Sequence, residues 1–168
     1  ETLRILKAIG YKPKRTLRFV LFINEENGNR GGKEYARQAG IENEQSALVH
    51  LAAMESDAGG FVPRGFRIDA SDSATAIVRS WEDLFAPYNV HLFRRGGAGV
   101  DISPLKSLTP RPTMLGLSPD GQRYFDFHHS SQDVFENVHK RELELGAATF
   151  AAALVMMDQH LPSPREDR

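Results

Sequence analysis

The chain has 168 residues, enough for one ordinary domain with a buried core. Hydrophobic residues make up 40% and charged residues 26%, an ordinary globular balance, and 21 basic against 22 acidic residues leave a net charge of −1. That balance, with no basic stretch interleaved with aromatics, argues against nucleic acid as a partner, and the absence of cysteine excludes disulfides and thiolate metal sites.

Any metal must therefore be held by His, Asp and Glu. The opening ETLRILKAIG has the apolar spacing of an amphipathic helix (Leu3, Ile5, Leu6, Ile9) with Gly10 as its stop, and does not read as a signal peptide. Leu17 to Ile23 (LRFVLFI) is a nearly continuous run of β-formers, which predicts a strand buried on both faces in a parallel sheet covered by helices. A polar, Gly-containing loop, Asn24 to Gly32, follows, and a helix is expected to start at Lys33. Ala47 to Met54 is a second buried-strand candidate, ending before a Gly-Gly loop. Ser71 or Asp72 is placed to cap a helix reaching Phe85. Val90 to Phe93 reads as a short strand, Arg94 to Gly99 as a Gly-rich loop, Ile102 to Leu108 as a short helix and Pro112 to Leu117 as a strand. Arg123 to Phe127 reads as a hairpin partner or an extended loop. Lys140 to His160 is the longest predicted helix, closed by Pro162 and Pro164. Its apolar stretch, Gly146 to Met157, is too short to span a bilayer.

This alternation predicts an α/β domain with a mostly parallel sheet. In such sheets sites lie beyond the carboxyl ends of the strands, and the reactive side chains of this chain fall there. Glu25 and Glu26 immediately follow the first apolar run. Two adjacent carboxylates repel, and a divalent cation relieves that repulsion. Neighbouring side chains also diverge, so one can ligate a metal while the other reaches its bound water. A bare Glu-Glu pair is more often two solvated loop acids. Asp57 follows the second strand candidate, where a turn residue before glycines is the ordinary reading. Glu55, at the strand end, is the weaker ligand candidate. His128 and His129 offer imidazole, with Asp126 and Asp133 near in sequence to fix a tautomer. The other four histidines show no ligand spacing, and Gly96, Gly97 and Gly99 lack the context of a nucleotide loop.

Four segments in order, FVLFINEENGNRGGKEYA, AAMESDAGGFVPRGF, GGAGVDISPL and YFDFHHSSQDVF, resemble the co-catalytic zinc aminopeptidases, on their carboxypeptidase Q-like branch. The resemblance covers essentially the whole chain. It implies a three-layer α/β/α zinc-exopeptidase fold with two zinc ions at the carboxyl ends of the strands, bridged by an aspartate and a water. It implies Glu25 as general base, Glu26 as a ligand of one zinc, Asp57 as a ligand of the other and His129 as the histidine ligand. His128 becomes a neighbour. Small peptides, dipeptides above all, are the implied substrates, and a secreted or periplasmic location is implied with them. A receptor-like module without catalysis and a one-zinc glutaminyl cyclase are the alternatives; the tandem Glu pair suits the two-zinc hydrolase better, since the spare Glu has a task as base.

One departure stands out. The family's first histidine ligand and bridging aspartate precede the Glu-Glu pair, and residues 1–24 contain neither residue type. The expectation is therefore that residues 1–168 are the C-terminal portion of a catalytic domain, lacking its N-terminal strands and inactive alone. Unpaired sheet edges then predict association with another chain, a second copy included.

Overall fold

A computed structural model of the chain describes residues 1–46 and 48–163. Helix α1 (Thr2–Ala8) is followed by an irregular stretch and helix α2 (Arg30–Ser46). Strands β1 (Ala52–Glu55) and β2 (Pro63–Asp69) come next, then helices α3 (Asp72–Arg79) and α4 (Glu82–Phe85). Strands β3 (Leu92–Arg95) and β4 (Thr113–Pro119), the short helix α5 (Tyr124–Phe127) and the long α6 (Lys140–His160) complete the order.

The four strands form one sheet in the order β1-β4-β2-β3. Strand β1 runs parallel to β4 and β2 parallel to β3, while β2 and β4 are antiparallel, so most pairings are parallel. Side chains alternate across it as strand geometry requires. Met54, Phe66, Ile68, Leu115 and Leu117 face α3 and α6, with Val78, Trp81, Ala153 and Met157 in the same cluster. On the opposite face Ala53 and Met114 pack with Ala36 and Ala39 of α2 and with Ile102 and Leu105. Helices therefore cover both faces, giving the expected three layers. Helix α1 lies along α6, where the Thr2 hydroxyl donates to the Ala147 carbonyl at 3.2 Å. At the far end of α6, buried Asp158 accepts from the Tyr11 hydroxyl and from the Lys14 amide (2.8 Å), with Arg15 at 3.6 Å.

Several expectations change. Leu17 to Ile23 forms no strand and pairs with none of the four, and it is largely exposed, Leu21 at 96% and Ile23 at 75%. The run has the composition of a central strand, yet no described neighbour supplies the ladder that would bury it. Phe22 turns inward, edge-on to Tyr35 at 5.7 Å. Strand β2 lay hidden in the sequence because Pro63 and Gly65 interrupt its alternation. That glycine is required: a β-carbon at residue 65 would stand 2.2 Å from the Leu92 carbonyl oxygen. The helix begun at the Ser71 cap, whose hydroxyl accepts the Ala74 amide at 3.2 Å, breaks before Trp81 into α3 and α4. Residues 124–127 form a helical turn in place of a strand or loop, and residues 103–107 form a 3-10 turn. Helix α6 keeps its predicted bounds. Ala47 and Pro164 lie outside the described residues, and no described helix is long and apolar enough to cross a membrane.

Candidate metal centre

The Glu-Glu pair sits in a tight loop between the apolar run and α2. Asn24, Gly28 and Asn29 all take positive φ (64°, 99° and 52°), a conformation that Gly and Asn reach most readily. The chain thus folds back so that the Glu25 carbonyl accepts the amides of Gly28 at 3.0 Å and Asn29 at 2.8 Å. The next carbonyl upstream but one, that of Ile23, accepts the Gly31 amide of α2 at 3.2 Å. Glu25 is half-buried by this packing, and Glu26 projects into solvent.

His129 arrives from just past α5. Tyr124 stacks on His128 (centroids 4.5 Å apart, planes at 23°), and His128 stacks on His129 (3.9 Å, 24°). His129 itself takes a positive φ of 55°. This stack brings its Nε2 to 3.2 Å from Glu26 Oε1, across 103 residues of sequence. His128 is occupied in the stack between its two neighbours. Asp57, two residues beyond the end of β1, is exposed and lines a cavity of about 230 Å³ with Phe61, Tyr124, Phe127, His128 and Asp133. The structure therefore brings Glu26 and His129 into contact, and leaves Asp57 on a separate wall of the same region.

Beneath this surface Glu55 is buried at 8% exposure. Its carboxylate accepts the Val100 amide at 3.0 Å and the Ile102 amide at 2.9 Å. Burial raises its pKa above the ordinary carboxylate range, the Ile102 amide opposes that, and the charges of Asp101 and Asp57 reinforce it. Asp101 is raised as well, by burial first and then by the charge of Asp57. One buried oxygen of Asp101, Oδ1, has no hydrogen-bond partner. The Asp57 charge is thus felt by two carboxyls below it, an acidic floor suited to a cation. Asn29 and Asp101 are residues that sequence reasoning did not place, while Glu55, read there as the weaker ligand candidate, has its carboxylate oxygens taken up by backbone amides. Glu55 was legible as a polar residue ending an apolar strand, but its partners are backbone amides with no side-chain signature.

Among the described residues no three His, Asp or Glu side chains converge on one point. A carboxylate and an imidazole in contact, both open to solvent, fit two ligands of a zinc ion, which takes both donor types.

A helix-covered, mostly parallel sheet with acidic and imidazole donors beyond its strand ends is the architecture of the zinc exopeptidases. The chain belongs to peptidase family M28, whose sequence profile matches residues 1–154. It is 34% identical to human carboxypeptidase Q over 167 residues, and 33% identical to the Bos taurus protein over the same length. Each alignment covers 98% of this chain and 34% of the relative. A crystal structure titled as a peptidase M28 precursor from Shewanella amazonensis SB2B superposes with a TM-score of 0.76 at 27% identity, covering 96% of this chain and 36% of that one. The chain thus spans about a third of the length of the relatives it matches.

Proposed function

We propose that this chain forms part of a zinc-dependent exopeptidase that cleaves small peptides, with Glu25 as general base and Glu26, Asp57 and His129 as metal ligands. The observation that carries the reading is the 3.2 Å approach of His129 Nε2 to Glu26 Oε1. In it a positive-φ loop and an aromatic stack, far apart in sequence, converge on one solvent-open point. Glu26 and His129 would hold one zinc and Asp57 would ligate the second. Bound zinc supplies a water acidified to near neutrality and a Lewis acid for the scissile carbonyl.

The remaining work falls to residues of the chain. Glu25, beside Glu26 but half-buried, would take the water's proton on its carboxylate and hand it to the leaving amine. Hydrogen bonds from Gly28 and Asn29 hold the Glu25 backbone, which supports that division of labour. The cavity beside Asp57 would seat the peptide, its aromatic wall excluding water from one side. The unpaired run at residues 17–23 and the chain's one-third coverage of its relatives support two further points. The chain alone is inactive, and it works joined to further polypeptide. A location outside the cytoplasm belongs to the same proposal.

The test uses the complete protein. Glu25→Gln is expected to lower kcat by about 10²- to 10⁴-fold, the usual share of a general base, with zinc content unchanged. Zinc loss with full activity would sink the assigned roles. A second reading, a non-catalytic interaction module, is favoured by the pairing of only two donors among the described residues. A zinc content of two per protein selects the enzyme; none selects the module.

A further inference from the structure

The two acidic loops of the candidate centre are joined through one residue, Val100. Asn29 donates its main-chain amide to the Glu25 carbonyl and its side-chain amide to the Val100 carbonyl. The Val100 amide, on the other side of the same residue, donates to Glu55 Oε1 at 3.0 Å, and Ile102 donates to Glu55 Oε2 at 2.9 Å. Glu55 ends β1, and Asp57 stands two residues further along. Both Glu55 and Asn29 are 8% exposed, so neither bond is readily exchanged for one to water. A continuous path therefore runs from Glu25 through Asn29, Val100 and Glu55 to the base of Asp57.

We infer that Glu55 and Asn29 are positioning residues that act through the Val100 backbone to hold the Glu25-Glu26 loop at a fixed separation from Asp57. Neither touches the reacting atoms. Each Glu55 oxygen accepts a different amide, and a carboxamide in the same place would set its NH2 group, a donor, against one of them. The separation matters because two metals in a co-catalytic pair must sit about 3.5–4 Å apart. This step rests on the proposed roles of Glu25, Glu26 and Asp57, while the path itself does not.

The experiment compares the complete protein with Glu55→Gln, Asn29→Ala and the double variant. Amide hydrogen exchange is read in peptides covering 24–29 and 96–102, and zinc affinity by chelator competition. Glu55→Gln is expected to speed exchange about tenfold in both peptides, including the one Glu55 never touches. Asn29→Ala should do the same, and the double variant should add little to either. Zinc affinity should fall about 10- to 100-fold, the range for residues that support ligands. Faster exchange confined to 96–102 in Glu55→Gln, or strictly additive effects in the double variant, would overturn the inference. If Glu55→Gln fails to fold, Asn29→Ala carries the test from the other end of the path. Coupled exchange in a protein that binds no zinc would support the path and overturn the metal reading instead.

Discussion

Gly99 has φ at +145°, and a β-carbon there would stand 2.1 Å from the Glu55 carboxyl carbon. Gly99→Ala is expected to destabilise the fold by about 2–4 kcal/mol, from backbone strain and overpacking together, as read by urea denaturation. An unchanged midpoint would mean the loop adapts freely. His50 gives a pH prediction. Its Nε2 lies 2.9 Å from the Tyr35 hydroxyl, and burial, then the Arg18 charge, lower its pKa below 6.5. The unfolded chain then takes its proton first as pH falls. The stability His50 contributes is complete above about 6.5 and is lost as pH drops from there to the lower folded value. An NMR titration should place its midpoint below that of a free imidazole, and a midpoint at or above 6.5 would refute the burial argument. At this scale the sequence placed Glu25, Glu26, Asp57 and His129 in loops, where the structure has them. It could not reveal that Asn29 and Glu55 meet at Val100, because a backbone peptide looks the same at every residue.

Elements were legible where periodicity was strong and neighbours were supplied locally. Helix α6 has 21 residues of sustained pattern and matched its expected bounds. Strand β2 did not announce itself, although Phe66 and Ile68 are each 1% exposed and lie at the centre of the larger core. Phe66 packs on Phe85 and Phe93 at 5.9 and 5.5 Å. Phe66→Ala should therefore cost about 3–5 kcal/mol in chemical denaturation, as for any large aromatic removed from a close-packed interior. A loss under 1 kcal/mol would show that β2 is peripheral. The opposite error, Leu17 to Ile23, has the same origin. Composition reports what a segment is able to bury, and pairing depends on which partners reach it.

For the molecule as a whole, the three layers are well filled on both faces of the sheet, while Phe19, Val20, Leu21 and Ile23 remain outside them. An exposed apolar stretch outside the sheet invites association. Leu21→Lys with Ile23→Lys is expected to reduce self-association of the 168-residue chain in sedimentation experiments, with stability changed by about 0.5 kcal/mol or less. Equal, concentration-independent sedimentation of both forms would remove that expectation.

The clamp at Asp158 bears on how the chain tolerates trimming. Helix α1 is short and lies at the periphery, so it looks dispensable beside the sheet. Yet the link behind it carries Tyr11, Lys14 and Arg15 to a carboxylate that α6 keeps only 4% exposed. A protease cut that released residues 1–15 would strand a buried negative charge without its donors, a defect far costlier than the few contacts removed. The first fifteen residues thus act as the counter-ion of the last helix.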